Sequence, residues 1–98
     1  MTLRTTQKLK TALLDRLDDQ YSFIVELALR NIPQIESRLS GDIEFAYLQK
    51  WRDALPHRDD LRQLIADNSD DGLSAWQLAP FAGVFTPQER WEILRHDE

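Results

Sequence analysis

Apolar side chains recur at intervals of three and four along most of the chain, and that spacing predicts helices. Leu9, Leu13, Leu17, Tyr21, Ile24 and Ala28 fall on one helical face, giving a long amphipathic first helix that Thr5 or Thr6 caps and that runs to Arg30. Leu14, Val25 and Leu29 widen this stripe beyond a two-position seam, which suits a globular core or a bundle better than an isolated dimeric coiled coil. Asp18 and Asp19 mark a local break within it.

Punctuation divides the rest. Asn31-Ile32-Pro33 reads as the start of a new helix, because proline disfavours helical geometry before it yet fits a first turn. This helix passes through Ile35 and Leu39 to Ser40-Gly41, where glycine closes it in the left-handed conformation. Ile43, Ala46, Tyr47, Trp51, Ala54 and Leu55 then share one face of a helix over 42–55, ended by Pro56. A short helix from Arg58 follows, with Asp59 and Asp60 at its positive end and Leu61, Leu64 and Ile65 as its apolar face.

Residues 67–72, reading DNSDDG, form the clearest loop, since each side chain favours turns or caps. Ser74-Ala75-Trp76-Gln77 has the form of a capping box. Thr86-Pro87-Gln88-Glu89 has a better one, with proline at the first helical position, so the last helix starts at Thr86. Between them Leu78 to Phe85 is apolar but irregular and plugs the core. No internal repeat and no hairpin-like alternation is present. The expectation is an all-α protein, one domain over residues 1–98, built as a bundle of four to five helices. The first helix and the 42–55 helix are its scaffold and the C-terminal helices are short.

Composition agrees with one core. The 98 residues are 42% hydrophobic and 30% charged, with three glycines and four prolines, the profile of a globular chain. Cysteine is absent, which removes disulfides, thiol nucleophiles and thiolate metal sites and points to a reducing, cytoplasmic setting. The first eleven residues carry Arg4, Lys8 and Lys10 but no long apolar run, so they do not read as a secretory signal. The stretch Phe23 to Ile32 is interrupted by Glu26, Arg30 and Asn31, far short of the roughly 20 apolar residues of a membrane span.

Charge is uneven. Residues 1–17 balance at +3, whereas residues 41–98 hold six basic and twelve acidic side chains, a balance of −6. An acidic majority disfavours nucleic acid as a partner. A helix-turn-helix built from residues 74–95 is the alternative reading, but Thr86 to Glu98 carries a net −2, the wrong sign for docking on phosphates. Trp91 and Leu94 then belong inside.

Candidate chemistry is thin. Asp67, Ser69, Asp71 and Gly72 match the opening of a calcium loop, but position twelve is Leu78, which supplies no carboxylate. His57 stands beside Asp59 and Asp60, which first-turn charge already explains, and neither His57 nor His96 has a metal-like partner spacing. Asp15 with Asp18 or Asp19, and Glu89 with Glu92, read as solvated helix faces. No catalytic, cofactor or metal site is therefore expected.

Trp51, Trp76 and Trp91 with Phe81 and Phe85 are many rings for so small a core, and tryptophan is enriched where proteins grip one another. All three indoles can be core residues. The functional expectation is a non-catalytic protein-binding module, a regulator, inhibitor or adaptor. Its partner surface comprises Trp76, Phe81 and Phe85 with the acidic Asp59, Asp60, Asp70 and Asp71, and in one version it occupies a nucleic-acid-binding groove of a partner enzyme. A two-fold homodimer covering the wide stripe of the first helix stays open.

Overall fold

A computed structural model of the protein describes residues 3–95, with side chains from Thr6 onward. His96 lies outside the described residues. Thr5 and Thr6, expected to cap the first helix, lie inside it, since the chain is helical from Leu3. Five helices follow one another: α1 (Leu3–Glu36), α2 (Asp42–Ala54), α3 (Arg58–Ala66), α4 (Asp70–Trp76) and α5 (Pro87–Arg95). Among the described residues there is no strand, and no helix is long and apolar enough to cross a membrane.

α1 is the spine. Leu9, Leu13, Leu17, Ile24, Ala28 and Ile32 are buried along it, and the helix is bent at Gln20, whose φ of −126° and ψ of 32° are not helical. The bend follows the stretch Asp18-Asp19, where no apolar contact holds the backbone. The bend is fastened from both sides: the Arg62 guanidinium pairs with Asp18 at 2.6 Å, and the Tyr21 hydroxyl donates to the Leu55 carbonyl.

Pro33 does not start a second helix, contrary to the sequence reading; it sits inside the last turn of α1. Ile32 beside it is buried in register with Ala28, and a break here would pull Ile32 from the core. Leu29, Arg30, Pro33 and Gln34 are all exposed, so the carbonyl deprived of its partner by the proline ring faces water, where the loss is small. Gly41 likewise closes nothing: its extended backbone (φ −118°, ψ 148°) opens α2.

The buried face of α2 also differs from the expected one. Leu48, Trp51 and Ala54 are buried, with Leu55 just beyond, whereas Ile43 is 73% exposed and Ala46 is exposed. α2 is apolar on more than one side, and packing against α1, α3 and α4 selects the side bearing Leu48. Leu61 and Ile65 of α3 and Ala75 of α4 complete the same cluster.

DNSDDG is only half a loop. Ser69 is the N-cap of α4, its Oγ accepting from the Gly72 amide at 3.1 Å, while Asp67 Oδ1 accepts from the Ser69 amide at 2.9 Å. Asp70 and Asp71 therefore occupy the first turn of α4, next to its positive end, and Ser74 lies inside the helix rather than capping it. The second expected box is present: the Thr86 amide donates to Glu89 Oε1 at 2.9 Å, and the Glu89 amide to Thr86 Oγ1 at 3.1 Å. The segment 77–86 has no regular element, and its Pro80 and Val84 are buried. α5 itself buries no residue. Trp91, expected inside, is 59% exposed beneath the Arg95 guanidinium, 4.8 Å from its ring.

Candidate functional site

Three stretches far apart in sequence meet at one groove: the first half of α1, the end of α4, and the irregular segment that leads into α5. Leu9 and Leu13 supply one wall, Leu73 and Trp76 another, and Phe81 and Phe85 a third, around a volume of about 710 Å³. It is the largest of the three concavities described. The other two, about 420 Å³ at the Gln20 bend and about 490 Å³ beside Glu89, are lined mainly by polar side chains.

The rings of the groove are held from behind. Phe81 meets the buried Trp51 edge to face, with centroids 5.3 Å apart and planes at 89°, and Trp76 approaches both rings at 6.4 Å. The perpendicular Trp51–Phe81 contact sets an electropositive ring edge against a π face. Cations brace two of the rings: Lys10 Nζ lies 5.4 Å from the Trp76 centroid, and the Arg16 guanidinium 4.6 Å from that of Phe85. The irregular backbone is fixed by side chains of α1. Asn31 Nδ2 donates to the Pro80 and Ala82 carbonyls at 3.1 and 2.9 Å, and Arg16 donates to the Val84 carbonyl at 3.0 Å. Gly83 turns the chain between them with φ of 95°, a conformation that side chains resist.

Three groups around this frame have displaced ionisation. Hydrogen bonds from Arg16 and from the Thr86 amide hold the Glu89 carboxyl down at about 2. Burial lowers the Lys10 ammonium, partly offset by Asp67; its Nζ donates to the Asp67 carbonyl at 2.8 Å, at the negative end of α3. Asp67 is lowered in turn by the Ser69 side chain and amide. Each serves to fasten helices, and none lines the groove. The polar lining consists of Thr6, Gln77 and Arg90. The groove can enclose apolar side chains and pair with an anion.

Of the seven residues singled out from sequence, Trp76, Phe81 and Phe85 are brought together here, all half-buried. The four aspartates are not. Asp59 and Asp60 open α3 and Asp70 and Asp71 open α4. A Cβ on Gly72 would lie 2.4 Å from the Asp67 carbonyl oxygen, so the start of α4 sits against the far end of α3. The two pairs are thus separated by the length of α3, about 13 Å at 1.5 Å per residue. Asp71 also accepts from the Tyr47 hydroxyl at 3.1 Å. Sequence reasoning missed Leu9, Leu13, Leu73 and Arg90 as partners of the aromatic segment, since no local pattern ties residues 9 and 90. Among the described residues α4 and α5 do not pack on one another: α4 packs on α2 and α3, and α5 on α1 alone. A helix-turn-helix requires the two to cross in contact. No family model, curated protein or solved structure matches this chain.

Proposed function

We propose that this protein is a non-catalytic protein-binding module, a small cytoplasmic regulator, inhibitor or adaptor that takes an apolar segment of its partner into the groove of Trp76, Phe81 and Phe85. The observation that carries the reading is the groove itself: three half-buried aromatic rings, Trp76 at the end of α4 and Phe81 and Phe85 on a braced, irregular segment, open to solvent on one side and backed by the core. Rings already fixed by their neighbours lose little side-chain freedom when a partner arrives, which favours anchoring. The lack of cysteine favours a reducing compartment. Asp59, Asp60, Asp70 and Asp71 occupy helix ends, where their charge is favourable, and do not line the groove.

A panning experiment tests this. Short random peptides displayed on phage are selected against the wild-type protein and against Ala82→Trp, an exposed position on the groove lining where an indole fills the space without entering the core. The expected result is enrichment of peptides rich in large apolar residues that bind the wild type and not the variant, with unchanged helical circular dichroism. Peptides that bind both proteins equally, or no enrichment, overturn the reading.

A further inference from the structure

We propose that the segment bound in the groove carries an acidic side chain beside its apolar anchors, and that Arg90 receives it. This rests on the protein-binding reading of the groove. The chain has a net charge of −5 and 17 acidic residues, yet none of them lines the groove, whereas one arginine does. Among the described residues the Arg90 guanidinium makes no hydrogen bond, ion pair or ring contact. The neighbouring cations behave otherwise: Arg16 is engaged by Glu89 at 2.7 Å, by the Val84 carbonyl and by the Phe85 ring, and Lys10 by Asp67, Asn68 and Trp76.

The wall of the groove is also the basic part of the chain. Thr6, Leu9 and Leu13 belong to the first seventeen residues, which balance at +3. Lys10 and Arg16 of that helix are taken up by Asp67 and Glu89, so Arg90 carries the attraction, and an apolar surface beside an open guanidinium is complementary to an apolar segment with a carboxylate next to it. A guanidinium presents parallel donors to both oxygens of a carboxylate, giving orientation as well as attraction, so the acidic side chain fixes the direction in which the segment lies.

The test uses the full chain and the same random peptide display. Pools are selected against the wild type, Arg90→Glu and the charge-matched control Arg30→Glu, an exposed position on α1 that does not line the groove. Peptides enriched on the wild type should combine large apolar residues with Asp or Glu. A synthetic peptide of that pool should bind Arg90→Glu about tenfold or more weakly at low salt, bind Arg30→Glu within about twofold of wild type, and lose affinity as salt rises. Peptides without acidic residues, or equal binding to Arg90→Glu, overturn this inference while leaving the groove as a docking site provided Ala82→Trp still blocks them. Binding that Ala82→Trp does not block removes the groove reading, and this inference with it.

Discussion

The indole nitrogen of Trp51 donates a buried 2.7 Å hydrogen bond to the carbonyl oxygen of Ala75, joining the last turn of α2 to the last turn of α4. The same carbonyl accepts from the Leu78 amide at 3.0 Å, so losing the indole does not orphan it. Trp51→Phe should therefore cost about 2 kcal/mol, from the lost hydrogen bond and part of the ring volume, short of the 3–5 kcal/mol of a full truncation. Urea unfolding measures it. Because Phe81 and Trp76 lean on this indole, peptide binding should weaken in the same variant.

The tryptophans should separate sharply. Trp91 is exposed and meets Arg95, so Trp91→Ala should change stability by less than about 0.5 kcal/mol, as surface substitutions do. A loss comparable to that of Trp51 in the same denaturation experiment would show that α5 packs differently.

The three glycines should rank by their surroundings. At Gly72 a Cβ would lie 2.4 Å from backbone and side-chain atoms of Asp67, so Gly72→Ala must open the α3–α4 turn at about 1–3 kcal/mol. Gly83→Ala meets only Leu27 at 3.8 Å, leaving backbone strain of about 1–2 kcal/mol at φ of 95°. Gly41→Ala, with extended backbone and only an ordinary 3.5 Å contact with the Glu44 side chain, should change stability least. Thermal unfolding of the three variants checks the order.

Glu89 makes stability sensitive to acid. Its carboxyl sits at about 2 in the folded chain against an ordinary 4.5, so the unfolded chain binds the proton first. The stabilisation is complete above pH 4.5 and is lost as pH falls from there through about 2. Glu89→Gln should flatten that part of the acid limb in thermal unfolding. Lys10 works in the alkaline range: its lowered value in the folded chain means stability rises with pH between that value and 10.5, and Lys10→Met should remove this rise.

What the sequence disclosed was local. The capping box of Thr86 and Glu89 and the stripe from Leu9 to Ala28 involve neighbours three or four apart, and both are present as expected. Where two local solutions competed, tertiary contact decided. Ser69 rather than Ser74 caps α4 because Gly72 must pack on Asp67, and Leu48 rather than Ile43 is buried because that side of α2 meets the other helices. Pro33 was misread since its effect depends on whether the freed carbonyl faces water. The rings of the candidate site were legible from their crowding, but Leu9, Leu73 and Arg90 join them only through the fold.

α5 buries no residue of its own and packs on α1 alone among the helices, through links such as Lys8 to the Leu94 carbonyl and Arg16 to Glu89. Those links join the first described helix to the last. The proposed docking groove is complete only once Arg90 is in place, so fragments of the chain that end before α5 lack that part of its lining.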